Sequence, residues 1–140
     1  MINNFVNRLI DSQRWLEPVA DFLQKIVGGF YKALGGAGTA LKTFNHGTWL
    51  GHPLHPVLTD IPLGGFSLAF LFDIIYIFNR SSVWASAAEL TIFVGVLAAL
   101  VTAVTGLTDW NETFGRERRV GVAHGLLNIA MVVLYIISLI

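Results

Sequence analysis

Residues 49–64 read WLGHPLHPVLTDIPLG and run without a break into the apolar stretch GFSLAFLFDIIYIF at 65–78. Two histidines, an aspartate and three prolines therefore stand at the mouth of a helix that is otherwise apolar. Such groups enter hydrocarbon only at a cost, so the stretch reads as the rim of a membrane span that carries a polar cluster.

The rest of the chain agrees with a membrane setting. Of its 140 residues 54% are hydrophobic and 13% charged, with a mean hydropathy of +0.65. A soluble domain carries roughly 25% charged residues. The formal net charge is +0 and the isoelectric point is near 6.9, which leaves no basic surface for nucleic acid. There is no cysteine, so disulfides, thiolate zinc sites and cysteine-held iron–sulfur clusters are excluded. The first fifteen residues, MINNFVNRLIDSQRW, hold charges where a signal peptide needs an apolar run, and no cleaved export signal is expected.

A helix needs about 20 residues to cross the hydrocarbon core. Three segments meet that length, 57–78, 83–107 and 120–140, and their short connections predict antiparallel neighbours. Trp49, Trp84 and Trp110 stand at span ends, where indoles favour the headgroup zone. The fold expected is all-α: an integral membrane antiparallel helical bundle of three spans with an N-terminal amphipathic helix. Residues 1–47 form the amphipathic arm and a Gly-rich linker, and residues 48–140 the transmembrane helical domain. In the arm Phe5, Val6, Leu9, Ile10, Leu16, Val19, Phe22, Leu23, Ile26, Val27 and Phe30 recur at helical spacing among Asp11, Arg14, Glu17, Asp21, Gln24 and Lys25. It is expected to lie on the membrane surface or on a partner. Pro18 starts a helical piece, and Gly35, Gly36 and Gly38 make a flexible break.

Lys42, Arg116, Arg118 and Arg119 fall on one side of the membrane and Arg80 on the other, so the first side, with the N-terminus, is expected to be cytoplasmic. The third span ends at Ile140 without a charged or aromatic flank, which suggests a missing fourth helix.

An antiparallel hairpin returns to its starting side. The start of the first span, the end of the second and the start of the third therefore share one face. His52, His55 and Asp60 come from the first, Thr105, Thr108 and Asp109 from the second, and His124 and Asn128 from the third. With a rise of about 1.5 Å per residue, His124 lies about 6 Å inside Val120 and Asp60 about 7 Å below His55, so one shared site is possible. Pro62 cannot donate a backbone hydrogen bond and crowds the Leu58 carbonyl, leaving polar backbone near the cluster.

Plainer readings stand beside these. His52 and His55 each precede a proline and could simply shape the helix entry. His124 is either a ligand or proton carrier, or half of an interhelical hydrogen bond. Asp60 and Asp109 could cap helices or pair with the arginines of the 116–119 loop, and His46 reads as a loop residue without a special role. Asp73 and Glu89 form a second pair near the opposite face, suited to interhelical hydrogen bonding or to proton relay. Gly64, Gly65, Gly95, Gly106, Gly121 and Gly125 allow close backbone approach or leave room for a flat cofactor.

The residues GHPLHPVLTDIPLGGFSLAFLFDII, then TGLTDW, then RRVGVAHGLLN resemble a bacterial membrane-protein family known only as a domain of unknown function, over about residues 48–140. The resemblance implies the bacterial inner membrane and a four-helix architecture, one helix more than this chain holds. Some members resemble fusions with a Rieske iron–sulfur domain, which implies an electron-transfer setting, although this chain has no Rieske-type motif.

Three functions follow as expectations. A haem b or another porphyrin could be held by His124 and His55 or His52, with Asp60, Asp109 and Asn128 contributing to the cofactor site. A non-haem metal could be bound by imidazoles, His55 and His124 first, and a carboxylate. A subunit without cofactor could dock its spans onto other subunits of a larger energy-transducing complex, membrane lipid being its other partner. Independent catalysis is not expected, since there is no G-x-S-x-G elbow, phosphate-binding loop or HExxH helix, and no inverted repeat supports a transporter.

Overall fold

The computed structural model describes Arg8 and residues 12–139. Phe5, Val6, Leu9, Ile10 and Asp11 of the arm and the terminal Ile140 lie outside the described residues. Helices account for the fold, with no strand among the described residues: a 3-10 turn Gln13–Leu16, then α1 Glu17–Ala33, α2 Gly35–Asn45, α3 Leu54–Asn79, α4 Ser82–Trp110 and α5 Gly115–Ser138.

The last three helices are each long and apolar enough to cross a membrane. α3 and α4 extend beyond the stretches read from hydropathy at both ends, and α5 begins earlier than the third stretch. In particular, Arg116, Arg118 and Arg119 lie in the first turns of α5, not in a loop. The glycine segment is also more ordered than a flexible break. Gly35 turns the chain at φ 55°, a conformation open to glycine, but Gly36 and Gly38 are already inside α2.

α3 and α4 form a close antiparallel hairpin. Gly65 and Gly95 let the two backbones meet, since a methyl group on Gly65 would sit 3.3 Å from the Gly95 Cα. Phe66 lies across Gly95, and Phe72 approaches Trp84 at 5.6 Å between ring centroids. α5 touches this hairpin at two levels. Near its start Gly121 receives the Trp110 indole, whose Nε1 donates to the Arg118 carbonyl at 2.8 Å. Further along, Tyr135 stacks on Phe66 at 4.1 Å with the rings 6° from parallel.

Little apolar surface is enclosed. Only 17%, 22% and 6% of the most apolar windows of α3, α4 and α5 are buried within the chain. Leu63, Phe70, Leu90, Leu127 and Leu134 project outward, as expected of helices solvated by lipid.

The arm is folded back onto the bundle. Leu16 and Ala20 pack against Trp110 and Val122 in a small buried cluster, so α1 is strapped across the α4–α5 turn. This gives the amphipathic pattern three sides instead of two. Leu16, Val19, Ala20 and Leu23 face the bundle, Glu17, Asp21 and Lys25 form a charged side, and Phe22, Ile26 and Phe30 remain outside, each more than half exposed.

Candidate functional site

The polar residues of the arm and of the span ends interlock. Gln24 presents its amide to the Trp110, Asn111 and Thr113 carbonyls, the nearest at 3.0 Å, where α4 ends and its carbonyls lack helical partners. Arg118 donates to Glu17, to Asp21 at 2.6 Å and to Gln24 at 3.3 Å, and Arg119 to Glu17 at 2.7 Å. The arginines hold the Glu17 carboxyl below the usual glutamate range, Arg118 contributing most. On the other flank Lys42 meets Glu112 at 2.5 Å and depresses that carboxyl in the same way.

Two connections, from Tyr31 of α1 with Asn45 of α2 and from His46 just after α2, complete the clamp. Tyr31 Oη and Thr108 Oγ1 lie 2.6 Å apart, and the Asn45 amide donates to both, at 3.1 and 3.2 Å. His46 Nδ1 lies 2.8 Å from Asp109, and its Nε2 lies 3.4 Å from Glu112. Because a carboxylate only accepts, Nδ1 carries the proton. His46, read from sequence as an idle loop residue, is thus one of the clamp residues.

His55, in the first turn of α3, sits in the α3–α4 seam. Its Nδ1 lies 3.0 Å from the Thr102 carbonyl, which only accepts, so Nδ1 carries a proton. The imidazole rests on Gly106, where a methyl group would come within 2.7 Å of Cε1 and 2.9 Å of Nδ1. One turn deeper, Pro62 leaves the Leu58 carbonyl without its helical donor. Thr102 Oγ1 supplies one, its single proton shared between the Leu58 carbonyl at 3.2 Å and the Ala98 carbonyl at 2.8 Å.

His124 and Asn128 stand on one face of α5, one turn apart. The Asn128 amide lies 3.1 Å from His124 Nε2 and donates to the His124 carbonyl at 2.8 Å. His124 itself is exposed.

Register relates the two histidines. Tyr135 is level with Phe66, and eleven residues back along both parallel helices lie His124 and His55. Eleven residues are about three turns, so each histidine shares a face with its aromatic partner. The Trp110–Gly121 contact, counted inward from the α4–α5 turn, puts Gly106 at the same level. His55 and His124 therefore occupy one layer of the bundle, as expected from the hairpin. Above it, Tyr135 covers Phe66, which covers Gly95. In the histidine layer His55 covers Gly106, and a methyl group on Gly125 of α5 would meet nothing within 4 Å.

The remaining candidates are dispersed. His52 is exposed, its Nδ1 3.2 Å from the Pro53 carbonyl. Asp60 is exposed on α3, and Asp109 is engaged by His46. Asp73 and Glu89 are both exposed and not hydrogen-bonded to each other. Among the described residues no three His, Cys, Asp or Glu side chains converge where a metal could be held.

A family model described as "Predicted membrane protein (DUF2231)" matches residues 51–140, the hairpin with α5 and the end of the loop before it. No curated protein and no solved structure matches the chain.

Proposed function

Because the chain belongs to the DUF2231 family of predicted membrane proteins, we propose that it serves as an accessory integral subunit of a larger energy-transducing complex, joined to its partner through α5. One observation carries this reading. α5 is the least enclosed span, 6% buried in its apolar window, yet one of its faces carries an exposed His124 and a half-buried Asn128. Asn128 lies nine residues beyond Arg119, about 13 Å into the bilayer. Polar side chains at that depth face a bundle interior or a neighbouring helix, because lipid offers them no hydrogen bond. A partner helix against this face would satisfy both groups.

The same reading places the arm and the arginine-bearing ends on the cytoplasmic side of the bacterial inner membrane, by the excess of Lys42, Arg116, Arg118 and Arg119 over Arg80. The part of the arm from Gln13 to Asn45 then acts as a strap on the cytoplasmic end of the spans, with the exposed Phe22, Ile26 and Phe30 resting in the headgroup zone.

Native electrophoresis of mildly solubilised membranes tests the assignment. Wild-type protein should migrate within an assembly, and His124→Leu with Asn128→Leu should shift much of it to the free form. Monomeric wild-type protein, or a double variant that stays fully assembled, refutes it.

A porphyrin-dependent electron-transfer role is the second reading, favoured by the seat of His55. A backbone carbonyl fixes its tautomer, as it does for many metal-bound imidazoles, and Nε2 has no hydrogen-bond partner among the described residues. His124 lies in the same layer. Absorption spectra of purified protein titrated with haem would show a Soret band lost in His55→Ala; no band in folded protein ends this reading. A non-haem metal has weaker support, since the donors are dispersed.

A further inference from the structure

α2 and the loop after it overhang the α3–α4 seam and enclose a cleft of about 430 Å³. That is within the range of small-molecule sites, about 300–1,000 Å³. Trp49, Leu58, Val101 and Val104 supply apolar wall, and Asn45 and Thr105 the polar groups. Val101 and Val104 are 58% and 53% exposed on the lipid-facing side of α4, so the cleft opens sideways toward hydrocarbon.

Asn45 gives the site its chemistry. It is 4% exposed, and its two amide protons go to Tyr31 and Thr108. Its Oδ1 has no donor among the described residues, and the Thr105 hydroxyl beside it is committed to the Thr102 carbonyl at 2.9 Å. The oxygen keeps a little accessible surface, so an occupant that brings a proton can reach it. The cleft also has a direction. Asn45, Trp49 and Thr105 are at the arm end, while Leu58 and Val101 lie a turn deeper, which is the polarity of a lipid with its head at the rim and its chain inward.

We infer that the cleft binds one lipid of the arm-side leaflet, its acyl chain along Leu58 and Val101 and a hydroxyl or ammonium group of its head donating to Asn45 Oδ1. Phosphatidylcholine fits less well, because its headgroup has no hydrogen-bond donor.

The test uses full-length protein in nanodiscs holding equal parts phosphatidylglycerol, phosphatidylethanolamine and phosphatidylcholine with identical chains. After mild extraction, native mass spectrometry counts the retained lipid. One hydrogen bond predicts roughly fivefold enrichment of a donor-bearing lipid over phosphatidylcholine. Whether the glycerol or the ethanolamine lipid is retained tells a hydroxyl donor from an ammonium. Val101→Trp fills the cleft from an exposed position and should abolish retention, whereas Val94→Trp, exposed on the same helix outside the cleft, should leave it intact. Equal retention of all three lipids, or undiminished retention in Val101→Trp, overturns the inference.

Discussion

His46 and Asp109 are 63 positions apart in the chain and 2.8 Å apart in space. The pair fixes the end of α2 to the end of α4, beside the Tyr31–Thr108–Asn45 triangle. Replacing His46 by Leu leaves the Asp109 carboxylate part-buried without its donor. That should weaken docking of the arm by about 1–3 kcal/mol. Limited proteolysis in detergent reads this directly: cleavage within α1 and α2 should accelerate at least fivefold, while the spans stay intact. Unchanged cleavage would show that the pair holds nothing.

The seat of His55 predicts a steric effect. A methyl group on Gly106 would come within 2.7 Å of the ring, and the ring lies against α4 with its Nδ1 tied to the Thr102 carbonyl. Gly106→Ala should therefore lower stability by about 1–3 kcal/mol, as overpacking does. Gly64, on the same hairpin, has nothing within 4 Å of the added carbon. Gly64→Ala should be neutral or slightly stabilising, since alanine is the better helix former. Thermal unfolding in one detergent compares the two, and equal midpoints would contradict the packing described.

Acid should release the arm. Glu17 is held below its ordinary value by Arg118 and Arg119, and Glu112 by Lys42 and His46. A carboxyl whose folded value is depressed contributes stability that is present above its unfolded value and is lost as pH falls through the folded one. Arm docking should thus be intact at neutral pH and weaken below about pH 4. Hydrogen exchange of α1 amides against pH would show rising exchange on the acid side only, and Glu17→Gln should flatten much of the profile. Release on raising pH from 6 to 8 would contradict the sign.

Much of this architecture could be read in the sequence, and the arm could not. The spans are legible because lipid demands long apolar helices whatever their neighbours. That His55 and His124 share a layer is legible too, because short connections force antiparallel order. Docking of the arm depends instead on side chains about a hundred positions apart, Glu17 with Arg118 and Arg119, and a charge leaves no local mark of a distant partner. The one available hint was complementarity: two acids at Glu17 and Asp21, one turn apart, against adjacent arginines. His46 was missed because the residues beside it resemble an ordinary helix end. The use of the hairpin glycines was equally hidden, since a small residue can make room for backbone or for a ring. Gly95 and Gly106 make room for rings.

The Pro62 site allows a sharper test, because the defect and its remedy come from different helices. Proline removes the donor for the Leu58 carbonyl, and Thr102 Oγ1 replaces it at 3.2 Å. Thr102→Val keeps the shape but deletes the hydroxyl, and should cost about 1–3 kcal/mol by leaving that carbonyl unpaired in a dry seam. Pro62→Ala restores a backbone N–H that reaches Leu58 along α3 itself. In that background the same threonine substitution should cost at least twofold less. The four proteins form a double-mutant cycle, read by unfolding midpoints in one detergent. Coupling near zero would mean that the hydroxyl serves only its own helix, through the Ala98 carbonyl.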